Sequence, residues 1–147
     1  MNETRFYELS HGAIEKALPQ LLYKIYDNMA KPILLLLNDV NMVNSYNKLL
    51  WSFSSNKFLP HGTKHNSIEH IKPLFLTDQE ENLNNAEILV STVIPQDEKF
   101  STNFKQRIFM FNREASTEFI NIFRNLKGNN AKATYWQQDA LGKWHDI

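Results

Sequence analysis

Three histidines lie close together in the chain, at His61, His65 and His70, and Glu69 precedes the last of them. Imidazole and carboxylate groups are zinc ligands, and a zinc site needs three or four of them to converge on the ion. The spacing of four residues between His61 and His65 would bring two side chains to one face of a helix. Pro60 and the glycine after His61 disfavour a helix there, so we interpret this segment as a loop whose histidines bind no metal.

A histidine beside a hydroxyl group and a carboxylate can also form a hydrolase site. The side chains available for such a site are His61, His65, Ser10, Ser52 and Asp39. No G-x-S-x-G nucleophile-elbow sequence is present, and none of the four glycines is close enough to another to form a phosphate-binding loop. A small α/β enzyme that uses the loop of residues 61–70, either a hydrolase or a nucleotide-binding domain, therefore remains an alternative without a supporting motif.

The composition excludes several other classes of protein. The chain has no cysteine, which rules out disulfides, thiolate metal sites and cysteine nucleophiles. Its longest apolar run, residues 33–37, is far shorter than the roughly 20 residues that a membrane-spanning helix needs. The first five residues are polar and no apolar stretch of a signal peptide follows them. We expect a cytoplasmic protein that makes no contact with a membrane and needs no cofactor.

The charges balance over the whole chain but are unevenly distributed along it. The chain has 16 basic and 16 acidic residues, whereas a protein that grips nucleic acid by itself usually has a net basic surface. Residues 78–98 include six acidic residues and no Lys or Arg, while residues 99–147 have eight basic and four acidic residues. The C-terminal third could therefore attract an acidic partner, and contact with DNA is expected only indirectly.

Alternating strand and helix patterns must position these residues. Continuous apolar runs predict strands that are covered on both faces, and apolar residues spaced by three and four predict amphipathic helices. The predicted strands are residues 5–9, 32–37, 73–76, 88–92, 107–111 and 132–136, and the predicted helices are residues 11–30, 40–53 and 113–127. This alternation predicts a single α/β domain over residues 1–147, with a central, mostly parallel sheet and helices on both faces. Pro19 is expected near a turn or a break in the first helix.

Aromatic residues stand out next to the predicted loops. Trp51 comes near the end of the second helix, Phe58 follows after a polar turn, and Trp136 and Trp144 lie near the C-terminus. Large rigid side chains beside loops are typical anchors of protein interfaces, because they bury much area at a low cost in conformational entropy. For Trp51 and Phe58, the spacing alone leaves a place in the core and a place in an interface equally open.

These segments also resemble a known family in their order along the chain. The segments are Phe6-Tyr7, Leu18-Pro19-Gln20-Leu21-Leu22, Leu50-Trp51, Phe58-Leu59-Pro60-His61-Gly62, Tyr135-Trp136-Gln137-Gln138-Asp139 and Gly142-Lys143-Trp144. Together they resemble the chi subunits of bacterial DNA polymerase III, over nearly the whole chain. The resemblance implies a Rossmann-like, three-layer α/β domain that performs no nucleotide chemistry. It also implies a non-catalytic accessory subunit that associates with the clamp loader during DNA replication.

The resemblance implies a first partner surface centred on Trp51 and Phe58, with Pro60 and His61 beside them. In the family, this surface binds the psi subunit, and in some bacteria a helicase competes for it. Since psi is not evident in all bacteria that have chi, the partner of this chain is expected to be psi or an equivalent protein.

A second surface implied by the resemblance binds the acidic C-terminal tail of the single-stranded-DNA-binding protein, which ends in a Phe carboxylate. Such a tail needs an apolar slot flanked by cations. The residues that match this role along and after the last helix are Phe123, Arg124, Lys127 and Lys132. The chain departs from the family by having Ser116 and Ile120 at helix positions where other members carry Lys and Arg.

Overall fold

A sheet of eight strands runs through the part of the chain that the computed structural model describes, which is residues 2–10, 14–54, 59–63 and 73–147. The strands are β1 (Glu3–Leu9), β2 (Ile33–Leu36), β3 (Gly62–Thr63), β4 (Leu74–Thr77), β5 (Ile88–Ser91), β6 (Gln106–Asn112), β7 (Lys132–Gln138) and β8 (Trp144–Asp146). The helices are α1 (Ile14–Met29), α2 (Val40–Ser52), α3 (Glu98–Thr102) and α4 (Ser116–Gly128), with a 3₁₀ turn at Arg113–Ala115.

The strands are ordered β3-β4-β2-β5-β6-β1-β7-β8 across the sheet. All neighbouring pairs are parallel except β7 and β8, which form an antiparallel hairpin. Parallel neighbours require crossover connections, and α1, α2, α3 and α4 lie within those connections. This architecture confirms the predicted α/β fold with a mostly parallel sheet.

Strand β2 shows how the sheet is covered on both faces. Its alternate residues Ile33 and Leu35 belong to the core cluster that contains the buried residues of α1 and α2. Leu34 and Leu36 point the other way and pack with Phe100 of α3. A strand that is apolar at every position is therefore explained by burial on both faces, as is typical of parallel sheets.

Helix α1 differs from the sequence prediction at Pro19, because the helix continues through this residue. Proline lacks only its own N–H and fixes a φ angle that helices accept, so one lost hydrogen bond near the helix start can be tolerated. The ring is buried, and burial of apolar surface on this face offsets part of that loss. None of the helices in the described ranges is long and apolar enough to cross a membrane.

Three short elements, β3, α3 and β8, did not appear in the sequence prediction, and β3 lies in the segment that was predicted to be a loop. Helix α3 has five residues, and the side chain of Asp97 caps it by accepting a hydrogen bond from the Lys99 N–H at 3.0 Å. Strand β8 has three residues and is fixed by the hairpin, in which Asp139 N–H donates to the Lys143 carbonyl at 2.8 Å. Elements this short carry too few residues for a hydrophobic period to be read.

Candidate functional site

Trp51 lies at the C-terminal end of α2 and is 54% exposed, although it follows the buried Leu50 directly. The side chain of Asp39 caps this helix by accepting a hydrogen bond from the Met42 N–H at 2.9 Å. Val43 and Leu50, seven residues apart, lie on the buried face, and a step of one residue turns the next side chain about 100° away. The helix period therefore explains why the indole of Trp51 points away from the core.

His61 lies directly beside Trp51 and is only 3% exposed. The two ring centroids are 4.3 Å apart, and the planes are inclined at 42°. Nδ1 of His61 lies 2.7 Å from the carbonyl oxygen of Leu59, and Nε2 lies 3.2 Å from that of Asn47 in α2. Both ring nitrogens thus lie near backbone carbonyl oxygens, one in its own segment and one in α2. His61 joins its own segment to α2 and packs against the indole.

Of the other two residues predicted for this surface, Pro60 and Phe58, the structure describes only Pro60. Pro60 is partly buried, between Leu59, which is 0% exposed, and His61. Phe58 lies outside the described residues, and with it the expected proximity of Phe58 to Trp51. The structure therefore brings Trp51 and His61 into contact, with Pro60 next to His61 in the chain.

Asp39, Ser52 and His61, which were considered for an enzyme site, have structural partners. The Asp39 carboxylate caps α2, and Ser52 Oγ donates to the carbonyl of Lys48 at 3.2 Å. Both nitrogens of His61 face backbone carbonyls, as described above. His65, His70 and Glu69 lie outside the described residues. Within the described ranges, no three His, Asp or Glu side chains form a group that could hold a metal ion.

Phe123 on α4, predicted to line a peptide slot, is 8% exposed. Its ring lies 5.8 Å from that of Phe6 and 5.4 Å from that of Tyr135, measured between centroids. It belongs to the aromatic core between α4 and the sheet. Phe123 therefore fixes the position of the helix and offers little surface to a ligand.

The three predicted cations beside Phe123 are all exposed. Arg124 and Lys127 form no ion pair within the described part of the chain, whereas Lys132 Nζ lies 3.1 Å from a carboxylate oxygen of Glu3. Burial of Glu3 acts to raise the pKa of its carboxyl group, but the hydrogen bonds and charges of Lys132 and Arg5 outweigh burial and lower this pKa. The positive charge of Lys132 is therefore partly neutralised, which leaves Arg124 and Lys127 as the available cations.

A buried polar cluster that the sequence interpretation missed surrounds Glu8 on β1, which is 1% exposed. Its carboxylate accepts hydrogen bonds from the Tyr135 hydroxyl at 2.5 Å and from Arg113 Nε at 3.1 Å. Burial and then this hydrogen bond raise the pKa of Tyr135, so the hydroxyl keeps the proton that it donates. The one signal in the sequence was the position of Glu8 between Tyr7 and Leu9 in β1, but it did not reveal the partners.

Fold and site together define a class of protein: a layered α/β domain with an exposed tryptophan held by a buried histidine. Comparisons with known proteins agree on one family. The family model described as DNA polymerase III chi subunit, HolC, matches residues 1–127. A protein of Rickettsia prowazekii (strain Madrid E) named "Probable DNA polymerase III subunit chi" is 30% identical over 155 aligned positions, which cover 100% of this chain and 93% of that protein. The chain belongs to the DNA polymerase III chi subunit family, which confirms the resemblance.

Proposed function

We propose that this chain is a non-catalytic accessory subunit that links the DNA polymerase III clamp loader to the single-stranded-DNA-binding protein during DNA replication in the cytoplasm. In this proposal, residues 1–147 act as one domain. Membership of the chi family supports the link to the polymerase. The exposure of Trp51 is the structural observation that carries the adaptor role, because a half-exposed indole on a well-packed helix end is suited to be buried by a partner.

The partner proposed for the Trp51 surface is the psi subunit or an equivalent protein of the clamp loader. The His61 ring packs against the indole, and its Nε2 atom lies 3.2 Å from the carbonyl oxygen of Asn47 in α2. An anchor that is already ordered loses less conformational entropy on binding than a mobile one. The supported indole is therefore expected to contribute more to binding than its area alone suggests.

The partner proposed for α4 is the acidic C-terminal tail of the single-stranded-DNA-binding protein. Arg124 and Lys127 are exposed cations without an ion pair among the described residues, and Lys132 lies on the strand that follows the helix. Such cations can attract a carboxylate-rich peptide, and the attraction weakens as salt is added. Phe123 is buried between α4 and the sheet, so any apolar contact with the tail must come from residues nearer the surface.

The two proposed surfaces lie on opposite faces of the sheet, which suits an adaptor. Helix α2 packs with Ile33 and Leu35 on one face, whereas α4 packs against Phe109 and Tyr135 on the other. Two partners bound there would not compete for the same area. One chain could then hold the clamp loader and the DNA-binding protein at the same time.

The decisive experiment is isolation of the tagged chain from its own cells, with subunits identified by mass spectrometry. Three variants are compared with the native chain: Trp51→Ala, Lys127→Glu and Leu141→Ala. We expect Trp51→Ala to lose the clamp-loader subunits and Lys127→Glu to lose the single-stranded-DNA-binding protein. Leu141→Ala is the control, because Leu141 is 94% exposed at the β7–β8 turn and belongs to neither surface. A native chain that retains neither partner contradicts the proposal.

A further inference from the structure

One face of the sheet carries three aromatic side chains at its β1–β7–β8 end. Tyr7 lies beside Trp136 in the parallel pair β1–β7, and Gln138 lies beside Trp144 in the hairpin β7–β8. Residues paired across two strands share a face, and successive residues of one strand alternate between faces. Tyr7, Trp136 and Trp144 therefore point to the same side. The rings of Tyr7 and Trp144 meet edge to face, with 5.5 Å between their centroids.

The described helices leave this end of the face open. On this side of the sheet, α1 lies over β6 and α2 over β3 and β4, whereas α3 and α4 pack on the opposite side. Tyr7 and Trp144 pack against the margin of the core beside α1, and Trp136 belongs to none of the core clusters of the described residues. All three rings are partly exposed. They therefore offer aromatic surface to a ligand.

A groove of about 170 Å³ adjoins the aromatic face, between α1 and strands β1 and β6. Tyr7 lines the groove and so connects it to the other two rings. The charged side chains in its lining are Arg5 and Lys24, and no carboxylate of the described chain lines it. A groove with two cations and no acid attracts an anionic ligand.

The cations of the groove keep a net positive charge. Both are exposed, and Lys24 forms no ion pair in the described part of the chain. Nε of Arg5 donates to one carboxylate oxygen of Glu3 at 2.8 Å, and Lys132 Nζ lies 3.1 Å from the other oxygen. One carboxylate is thus shared by two cations, so it neutralises them only in part.

The charges also indicate how a ligand would lie. Asp146 is the carboxylate beside Trp136 in the hairpin, at the end of the face away from the groove. Like charges repel, so the anionic part of a ligand is favoured at Arg5 and Lys24 and its uncharged part at the rings.

We propose that this face binds single-stranded nucleic acid, with bases stacked on Trp136 and Trp144 and phosphates on Arg5 and Lys24. Every base has an aromatic surface, and proteins hold single strands by stacking bases on aromatic side chains beside a basic groove. The side chains of β1, β7 and β8 on this face are aromatic or polar, except Leu9, which is fully buried. A face without exposed aliphatic side chains suits bases better than the apolar side of a partner's helix.

The inference goes beyond the adaptor role and changes one expectation. The balanced charge of the whole chain predicts only indirect contact with DNA, whereas the groove concentrates cations at one place. With so few cations, we expect a dissociation constant of about 10–100 µM at low salt, which is typical of non-specific binding. The face lies opposite α4 and needs neither Lys127 nor Trp51, so this inference and the adaptor role can fail independently.

The test uses the full chain and a twelve-nucleotide oligodeoxyuridine at low salt, with an abasic strand of equal length as its matched twin. The indole N–H signals of Trp51, Trp136 and Trp144 are followed by NMR. We expect the oligodeoxyuridine to shift the signals of Trp136 and Trp144 and to leave that of Trp51 in place. The abasic strand keeps the phosphates but cannot stack, so it should bind about fivefold or more weakly. Equal binding of the two strands, or an unmoved Trp136 signal, would overturn the proposal and leave the face to a protein partner.

Two pairs of variants locate the site. Trp136→Ala should weaken binding about fivefold or more, and Trp136→Phe, which retains a ring, should restore most of it. Lys24→Glu should weaken binding and reduce its dependence on salt, because a phosphate contact is lost. Lys99→Glu makes the same change at an exposed lysine of α3, on the opposite side of the sheet, and should bind like the native chain.

The lysine pair decides even if Trp136→Ala does not fold, since Lys24 and Lys99 are both exposed. Equal affinity of Lys24→Glu and Lys99→Glu for the oligodeoxyuridine would contradict the inference.

A last arm distinguishes DNA from RNA, which share this chemistry. The oligodeoxyuridine is compared with an oligouridine of equal length, which differs from it only in the 2′-hydroxyl groups. Tighter binding of one strand, lost in Trp136→Ala, assigns the face to that nucleic acid, and equal binding lost in the same variant assigns it to both. Binding of both strands that survives in Trp136→Ala would remove the site.

Discussion

The buried ring of His61 supports the exposed indole of Trp51, with 4.3 Å between their centroids. His61 is anchored by backbone carbonyls at 2.7 and 3.2 Å, so its position is fixed from the α2 side and from its own segment. An interface residue that is already held in place binds with less loss of entropy. In the proposed interface, the pair separates two roles, because Trp51 would offer the contact area and His61 would position it.

Replacing Trp51 with Ala should weaken binding to the purified clamp-loader partner by about 2 kcal/mol or more, which is roughly a thirtyfold rise in the dissociation constant. The indole is half exposed, so the free energy of unfolding should change little. Titration calorimetry measures the first quantity and urea unfolding the second. The Leu141→Ala variant, changed at another exposed apolar side chain, should bind as the native chain does; equal binding by both variants would contradict the role of Trp51.

Replacing His61 with Ala should lower the free energy of unfolding by about 2–4 kcal/mol, because a buried ring and its hydrogen bonding to the backbone are lost together. Partner binding should also weaken, since the indole of Trp51 loses its support. His61→Phe keeps a ring beside Trp51 but removes the hydrogen-bonding nitrogens, so it should be destabilised and yet bind better than His61→Ala. Urea unfolding and calorimetry test both statements. An unchanged unfolding midpoint in His61→Ala would show that His61 does not stabilise this part of the fold.

Most of the fold could be predicted because the strand runs are unambiguous. The run at β2 is apolar at every position, and the structure buries all four of its residues. Short elements were missed, since β3, α3 and β8 have only two, five and three residues. Pro19 was expected near a turn or a break but lies inside α1, where burial of the helix face outweighs the local preference of proline.

The site could be predicted only in part, because the sequence shows residue types and not their burial. Trp51 is exposed, as expected for an interface. His61 was predicted to lie in the partner surface, and the structure shows its ring buried below that surface. Phe123 likewise lies in the core, since aromatic spacing on a helix does not distinguish an inward face from a binding slot.

Lys127→Glu should weaken binding of a tail peptide that ends in Phe, because it reverses the charge of a cation that has no ion pair in the described part of the chain. The effect should shrink as salt rises, since exposed charges are screened over about 8–10 Å at ordinary ionic strength. Lys143→Glu in the β7–β8 turn makes the same change elsewhere and should bind like the native chain. Fluorescence titration at low and high salt measures both. Equal affinity of the two variants would remove Lys127 from this surface.

Asp139 in the β7–β8 turn gives a pH prediction. The hydrogen bond with His145 at 2.7 Å, and those from the backbone N–H groups of Lys143 and Leu141, lower the pKa of Asp139 below its ordinary value of 3.8. A lowered carboxyl pKa stabilises the turn at pH values above 3.8, and this contribution is lost as the pH falls through the lowered value. NMR titration of the carboxyl carbon should give a midpoint below 3.8, and His145→Gln should raise it. A midpoint that does not move in His145→Gln would contradict this account.

The buried pair of Glu8 and Tyr135 makes the last prediction. Tyr135→Phe removes the hydroxyl that donates to Glu8 at 2.5 Å and leaves a buried carboxylate oxygen without that partner. The free energy of unfolding should fall by about 1–3 kcal/mol or more, since an unsatisfied charged acceptor is costly. Glu8→Leu alone should also destabilise, because the hydroxyl then lacks its acceptor. The double variant should lose less than the sum of the two, since neither polar group remains unpaired and the exposed Arg113 can turn to solvent. Urea unfolding of the native chain, the two single variants and the double variant measures these losses. Strictly additive losses would show that the two side chains do not stabilise each other.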